Sequence, residues 1–308
     1  MASSSPLLPQ IGDPALFDEP LNRCPLCGSG GVGPRYRITA YNPPFCVDRC
    51  QACGFLFMNP RFRKEVVEGF YKESYYRGNA EYSYFDEREA ERYALYVWKK
   101  RLKVIRRYRA GGNFLDVGAA FGGFMKAASE YFTPYGIEVS VYSGAQAREI
   151  FGERLHVGTL ADHPFSKDSF SVITMIEVLE HLPDPVSALR ECHGLLGEGG
   201  LLVLQTANME GLQARYWKER YAYFMPGHLS YFSLKNLAGL LERLGFRRVR
   251  VYRPVEFGLL PKLLKSRYTF RSPLDYRRWL RIALYHGMGL IHLGNFSLTS
   301  SMVVYAVK

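Results

Sequence analysis

One residue in this sequence that is suited to chemistry is an acid near the end of a short apolar run. Asp116 closes that run, and a turn of small residues, 118–123, leads into a segment with helical spacing. Such a turn lets the backbone pass close under a ligand, and the helix N-terminus presents N–H groups to it. Glu138 ends the next apolar run, where a carboxylate can accept hydrogen bonds from both ribose hydroxyls of an adenosine ligand. The pattern predicts a nucleoside-binding corner.

Two ligand classes compete for this corner. Gly118, Ala120 and Gly123 also satisfy a loose Gly-x-Ala-x-x-Gly dinucleotide pattern, which would make the chain a nicotinamide-dependent oxidoreductase. Asp116 favours a nucleoside without a pyrophosphate, because an acid at the strand end would repel that group and suits an amino group instead.

A second constellation lies near the N-terminus. The segments Cys24-Pro-Leu-Cys27-Gly28 and Cys50-Gln-Ala-Cys53-Gly54 repeat one Cys-x-x-Cys-Gly pattern. Two such pairs complete a closed tetrahedral Cys₄ site, the arrangement typical of structural Zn²⁺. A redox-active pair usually occurs once, and a disulfide is not expected in a reducing compartment. We therefore predict that Cys24, Cys27, Cys50 and Cys53 bind zinc.

The elements that position these residues alternate along the chain. Apolar runs of strand length alternate with segments of helical periodicity, which predicts an α/β fold with a doubly wound, mostly parallel sheet. We predict a disordered leader over 1–22, a zinc ribbon over 23–60 and a helical lid over 61–110. The catalytic domain then covers 111–308, with a basic helical insert at about 256–296.

The charge of the chain is concentrated at its C-terminal end. The 308 residues carry a formal net charge of +11, and residues 245–308 contain twelve Lys/Arg against only Glu256 and Asp275. That asymmetry indicates an anionic partner, which we expect to be the surface of an anionic membrane or a phosphate carrier. A solvated basic face without a partner is the alternative. With no signal peptide and no run of 18 apolar residues, we expect a cytoplasmic protein, in peripheral contact with a membrane.

Together the corner, Glu138, the run 177–185 (Glu-Val-Leu-Glu-His-Leu-Pro-Asp-Pro) and the Gly199-Gly200 turn resemble class I S-adenosylmethionine-dependent methyltransferases. The chain is most similar to the subgroup with an N-terminal zinc ribbon, which includes sugar methyltransferases of surface-glycan pathways. The resemblance implies a Rossmann-like sheet with an antiparallel C-terminal strand. It also implies cofactor contacts from Asp116, Gly118, Ala119, Ala120, Phe121, Gly122, Glu138, Thr159, Leu160, Glu177 and Tyr76.

Two histidines are the candidates for general base. The resemblance places His181 near the transferred methyl group, and histidine titrates near neutral pH. His228 is the second candidate. Sugar C-methyltransferases that resemble this chain carry Glu-His there, whereas Gly227 precedes His228 here. We therefore expect O-methylation of a saccharide, a lipid- or nucleotide-linked saccharide or another small molecule. Buried histidines that only hydrogen-bond their own loops are the alternative.

Two other functions fit parts of the sequence. An RNA methyltransferase would use the ribbon and the basic C-terminus to grip RNA, although the ribbon itself is not strongly basic, so nucleic acid is the less favoured partner. A non-catalytic scaffold would keep the fold and lose the ligand. Binding of adenosylhomocysteine separates the scaffold from both enzymes.

Overall fold

The computed structural model describes residues 13–70, 87–253, 255–267, 272–273, 275–294 and 296–308. Its strands are β1 (Val32–Ile38), β2 (Phe45–Cys50), β3 (Leu56–Met58), β4 (Asn113–Val117), β5 (Thr133–Glu138), β6 (Leu155–Val157), β7 (Phe170–Ile176), β8 (Leu196–Ala207), β9 (Ser230–Tyr231), β10 (Arg247–Tyr252), β11 (His292–Leu293), β12 (Phe296–Ser297) and β13 (Ser301–Val307). Its α-helices are α1 (Lys64–Phe70), α2 (Glu91–Ile105), α3 (Gly123–Ala128), α4 (Val141–Phe151), α5 (Pro185–Leu195), α6 (Leu212–Trp217), α7 (Leu234–Arg243), α8 (Leu260–Arg267) and α9 (Asp275–Met288).

Seven of these strands form the central sheet, in the order β10-β13-β8-β7-β4-β5-β6. The five strands β6, β5, β4, β7 and β8 run parallel to one another, whereas β13 is antiparallel to both β8 and β10. This confirms the predicted mostly parallel α/β sheet with an antiparallel C-terminal strand. The chain turns in opposite directions from β4, with β5 on one side and β7 on the other, and ligands bind outside the strand ends at such a switch point.

The sheet is buried on both faces because its strands alternate two sets of apolar side chains. Phe114 packs with Leu102 and Ile105 of α2 and with Phe124 of α3 on one face. The next residue, Leu115, points the other way, into a cluster that includes the apolar sides of α5 and α7. Layers of helix on both faces hold the carboxyl ends of β4, β5 and β7 together at one edge.

The N-terminal strands form a second sheet, in the order β1-β2-β3-β9. Its last strand, β9, belongs to the loop between β8 and α7, so the cysteine-bearing segment is hydrogen-bonded directly to the catalytic domain. The side-chain amide of Asn236 adds to this junction by donating to the Cys53 carbonyl at 2.8 Å. Because β9 is only two residues long, no sequence pattern predicted this pairing.

Residues 13–22 depart from the predicted disordered leader. Phe17 is only 3% exposed and stacks on Phe62 with ring centroids 4.6 Å apart. The two residues also form an isolated antiparallel bridge. Burial of one aromatic side chain thus fixes this segment against the N-terminal sheet.

The last part of the predicted helical lid begins as a 3₁₀ turn, Glu87–Ala90, and continues as α2. The part of the predicted lid that carries Tyr76 lies outside the described residues. The predicted basic insert contains α8, α9 and the β11–β12 hairpin, between β10 and β13. Within the described ranges, none of the helices combines the length and apolar character required to cross a membrane.

Candidate active site

Asp116 lies on β4, the strand at the switch point. Its side chain is buried, 4% exposed, and its Oδ1 accepts a hydrogen bond of 2.6 Å from the Thr174 hydroxyl on neighbouring β7. A buried carboxylate needs such a donor to offset desolvation. The bond fixes the carboxylate at the strand end, where it can receive the amino group of a cationic ligand.

The turn after Asp116 requires unusual backbone angles at three of its residues. Gly118 and Gly122 have φ of 78° and 79°, and Ala120 has φ of 47°. A Cβ at Gly118 would come within 2.5 Å of the Val178 side chain, so this glycine allows the turn to touch the 177–185 segment. Ala120 occupies the left-handed region despite its methyl group, a modest strain at a ligand-binding turn.

Glu138 receives two backbone N–H groups. Its Oε2 accepts from Ala120 N–H at 2.7 Å, and its Oε1 accepts from Ser140 N–H at 2.8 Å. The side chain is 5% exposed, and this burial raises its pKa, against the opposing effect of the two backbone bonds. Each carboxylate oxygen keeps further acceptor capacity, which is what the two hydroxyls of a ribose require.

The other predicted cofactor residues surround this carboxylate. Ala119 and Phe121 are buried within the turn, and the Arg88 guanidinium lies 3.7 Å from the Phe121 ring centroid. Beyond β6, the Gly158 N–H donates to the Glu138 carbonyl and leads into Thr159 and Leu160. The structure thus brings the turn, Glu138 and the 159–160 loop to one edge of the sheet.

Glu177 begins the loop after β7 with a strained backbone, φ of 55°. Its Oε1 accepts from the Gln205 amide at 2.7 Å, and the oxygen of that amide accepts from Arg101. Arg101 in turn pairs with Glu256 at 2.5 Å, and both side chains are almost fully buried. Sequence reasoning missed Arg101 because it lies on a helix whose charged positions pass for solvent-facing ones.

His181 and His228 lie in direct contact, with ring centroids 4.6 Å apart in an edge-on arrangement. His181 Nδ1 donates to the Gly227 carbonyl and His228 Nδ1 donates to the Tyr223 carbonyl, each at 2.8 Å. Because a carbonyl only accepts, both rings carry their proton on Nδ1 and their lone pair on Nε2. The structure therefore brings both predicted catalytic histidines together as neutral bases.

The protonation of the pair follows from its surroundings. Burial lowers the pKa of His181, and burial together with the neighbouring His181 lowers the pKa of His228 well below its usual value. His228 is 3% exposed, whereas His181 is half-buried. His181 is accordingly the histidine that a substrate can reach, and His228 lies behind it.

Glu180 and Tyr223 complete the polar cluster, and sequence reasoning assigned neither of them a role. Glu180 has no exposed surface, and its Oε1 accepts from the Tyr223 hydroxyl at 2.6 Å. Burial and the neighbouring Glu177 carboxylate raise the pKa of Glu180 well above its usual range. Its partner Tyr223 comes from the distant loop after α6, a contact that no local sequence pattern announces.

Two groups of side chains among the described residues have the spacing of metal ligands. Ligand atoms of Glu180, His181 and His228 all lie within 4.8 Å of one another, close enough for a single cation. The thiols of Cys24, Cys27, Cys50 and Cys53 form the other group, in the N-terminal segment around β1 and β2.

The cysteine group has the dimensions of a tetrahedral metal site. The Sγ atoms of Cys24 and Cys53 are 3.7 Å apart, and those of Cys27 and Cys50 are 3.6 Å apart. Four thiolates at about 2.3 Å from one tetrahedral Zn²⁺ would be about 3.8 Å apart. The donor set and its spacing fit that ion.

The strand order, the acid-ended β4 and β5 and the strained turn between them define a class I S-adenosylmethionine-dependent methyltransferase. Comparison with known proteins supports this assignment to the methyltransferases. A family model described as "Methyltransferase domain" matches residues 85–251, more than half of the chain. The protein belongs to this methyltransferase family.

Curated relatives share parts of the chain. A ubiquinone biosynthesis O-methyltransferase of Pseudomonas paraeruginosa is 34% identical over 109 residues, covering 32% of this chain and 46% of the relative. A demethylmenaquinone methyltransferase of Staphylococcus aureus is 26% identical over 183 residues, covering 50% of this chain and 76% of the relative. The chain therefore spans less than half the length of the first of these relatives.

Solved structures show the same fold. Phosphoethanolamine N-methyltransferase 2 of Haemonchus contortus, in complex with S-adenosyl-L-methionine, superimposes with a TM-score of 0.51 at 17% sequence identity. The match covers 89% of this chain and 71% of that chain. At this identity the likeness establishes the fold, and the substrate has to be argued from the site.

Proposed function

We propose that this methyltransferase methylates a hydroxyl oxygen of a saccharide, or of a lipid- or nucleotide-linked saccharide or similar small molecule, with His181 as general base. The observation that carries the proposal is the contact between two neutral, Nδ1-protonated histidines beside the cofactor corner. An alcohol must lose its proton as it attacks, and a lone pair on Nε2 is suited to take it.

S-adenosylmethionine, when bound, supplies an electrophilic methyl group whose bond to the sulfonium sulfur breaks as the new oxygen–carbon bond forms. Asp116 and Glu138 would hold that ligand by its amino group and its ribose, and so would fix its direction. His181 Nε2 receives the hydroxyl proton and becomes an imidazolium. The Gly227 carbonyl, which accepts from Nδ1, stabilises the positive charge and keeps the ring in place.

His228 and Glu177 tune this step. A second positive charge 4.6 Å from the first ring would be unfavourable, so the pair takes up one proton and His228 stays neutral. Glu177 lies close enough to favour the protonated form of His181. The proton can therefore be held on His181 until solvent removes it.

Oxygen rather than carbon is the favoured acceptor atom for two reasons. The sugar C-methyltransferases that resemble this chain carry a Glu before the second histidine, whereas Gly227 offers only its backbone carbonyl. In addition, a curated relative at 34% identity is named as an O-methyltransferase. The saccharide class rests on the sequence resemblance to the zinc-ribbon subgroup.

The test is a transfer of labelled methyl groups from S-adenosyl-[methyl-¹⁴C]methionine to fractionated cell extracts. We expect label in a saccharide or glycolipid fraction, released as methyl iodide by hydriodic acid, which cleaves O-methyl but not C-methyl groups. Label that resists hydriodic acid would contradict O-methylation. Label that becomes acid-soluble after ribonuclease treatment would identify RNA as the acceptor instead.

We further propose that Cys24, Cys27, Cys50 and Cys53 hold one structural Zn²⁺. The paired Sγ distances of 3.6 and 3.7 Å and the closed set of four thiols support this. Because β3 pairs with β9, the ion would stabilise the junction with the catalytic domain. Elemental analysis should find one zinc per chain, lost in Cys27→Ser and kept in Cys46→Ser, a matched control on β2. Full zinc retention in Cys27→Ser would contradict the assignment.

A further inference from the structure

One side of α9 carries an exposed apolar stripe. Tyr276, Leu280, Leu284 and Met288 follow each other at intervals of four residues and are 56%, 55%, 58% and 39% exposed. Residues four apart lie on one helix face, so these side chains form a continuous row. The opposite side of α9 packs inward, where the Trp279 indole donates to the Leu263 carbonyl of α8 at 3.0 Å.

The stripe continues through the turn and hairpin that follow α9. Exposed fractions are 58% at Leu290, 61% at Ile291, 83% at Leu293 and 36% at Phe296. Across the described residues, nine of the fifteen exposed large hydrophobic side chains fall between 260 and 296. We call the eight residues of the row and its continuation the insert patch: Tyr276, Leu280, Leu284, Met288, Leu290, Ile291, Leu293 and Phe296.

Positive charge accompanies the insert patch. Arg277 and Arg281 are exposed and each follows a residue of the α9 stripe by one position, which places them along its margin. Residues 257–296 contain seven Lys/Arg and one acid, Asp275. An apolar helix face bordered by arginines is the pattern of a helix that lies in the interface of an anionic bilayer.

The inner side of the same insert is linked to Glu177 through a chain of polar contacts. Glu256, at its start, pairs with Arg101, which hydrogen-bonds the Gln205 amide that holds Glu177. Tyr285 of α9 is half-buried, and its burial and, more weakly, the Glu177 carboxylate raise its pKa. One element therefore connects an apolar, basic outer surface with the catalytic loop.

We propose that the insert patch binds the surface of an anionic membrane and presents the active site to an acceptor carried by a lipid. The first part stands on the exposed apolar row and its flanking arginines alone. The second part, the lipid-borne acceptor, rests on the proposed methylation of a lipid-linked hydroxyl compound. Charge complementarity with acidic headgroups selects the membrane over a neutral protein partner.

The experiment is flotation of the full chain with vesicles of phosphatidylcholine, with and without about 40% phosphatidylglycerol to supply acidic headgroups. We expect binding to the acidic vesicles that weakens as salt is raised. Leu284→Asp with Leu293→Asp should lower the partition coefficient by about tenfold or more, because a charge replaces apolar surface at the interface. Arg277→Gln with Arg281→Gln should lower it about fivefold per arginine at low salt.

The control is Ile150→Asp, a leucine-sized residue that is 64% exposed on α4, outside the insert patch. It should bind vesicles as the wild type does. Equal binding to neutral and acidic vesicles, or unchanged binding of the double Asp variant, would overturn the proposal. A wild-type dimer that the double Asp variant converts to a monomer, without vesicle binding by either, would show that the patch joins two copies and would overturn it too. Flotation needs no acceptor, so its failure would leave the methyl-transfer assay unaffected.

Discussion

The cofactor site is most sharply tested at Glu138, whose carboxylate is already committed to two backbone donors. Ala120 N–H bonds one oxygen at 2.7 Å and Ser140 N–H bonds the other at 2.8 Å. In Glu138→Gln either orientation of the amide places an NH₂ group against one of these donors. One N–H then loses its acceptor in a buried site, which costs about 1–3 kcal/mol.

That cost lowers the stability of the fold, whereas the loss of affinity comes from the ribose contacts. Two hydrogen bonds from hydroxyls to a carboxylate contribute about 1.5–3 kcal/mol each, and the amide can replace at most one of them. We expect Glu138→Gln to weaken adenosylhomocysteine binding by about 100-fold, equivalent to about 2.7 kcal/mol. Glu138→Ala, which removes both acceptors, should weaken it further.

Isothermal titration calorimetry with adenosylhomocysteine measures this effect, at a temperature where circular dichroism shows each variant folded. Glu153→Gln is the matched control, because its carboxylate is 93% exposed and lies on the surface beyond α4. Burial raises the pKa of Glu138, so affinity should fall as the pH is lowered through that raised value, since the protonated acid loses acceptor capacity. Wild-type affinity in Glu138→Gln would refute the assignment of the ribose to this residue.

Three further predictions concern the turn, the histidine pair and the buried ion pair. Ala120→Gly should leave the affinity for adenosylhomocysteine within about twofold of the wild type. Its free energy of unfolding should change by less than about 1 kcal/mol, because relief of the left-handed strain opposes the added freedom of the unfolded chain. A tenfold change in affinity, measured by calorimetry, would contradict this prediction. His228 stays neutral in the folded protein, so below pH ~6.5 only the unfolded chain takes up a proton at this residue. In urea titrations the free energy of unfolding of the wild type should therefore fall, relative to that of His228→Asn, by about 1.4 kcal/mol for each pH unit below that value. A pH-independent difference between the two proteins would refute a neutral His228. Arg101→Met leaves Glu256 buried without its partner and should lower the free energy of unfolding in urea by about 3–5 kcal/mol. Adding Glu256→Gln should recover most of that loss. Equal instability of the single and double variants would argue against the ion pair.

Short local patterns predicted much of the site. Asp116, the turn after it and Glu138 follow from strand–turn–helix chemistry within 23 residues, and the four cysteines follow from their own spacing. His181 and His228 lie 47 positions apart, and the resemblance to a family, rather than any pairing rule, identified them. The structure added that their rings touch and that both lone pairs lie on Nε2.

The residues that sequence reasoning missed act through contacts between distant segments. Tyr223 reaches Glu180 from 43 positions away, and Arg101 reaches Glu256 across 155 positions. Arg101 occupies a helical position that reads as solvent-facing, and only the folded sheet shows that it is covered. Residues 13–22 depart from the predicted disorder for a similar reason, because Phe17 is buried against residues distant in sequence, among them Phe62.

The central claim, that this corner holds S-adenosylmethionine with its methyl group facing the histidine pair, is tested most directly by a crystal structure with adenosylhomocysteine. The account predicts both ribose hydroxyls on the Glu138 carboxylate, the amino group at Asp116 and the sulfur turned toward His181 Nε2. A ligand whose sulfur faces away from His181 and His228, or whose ribose is bound elsewhere, would contradict it.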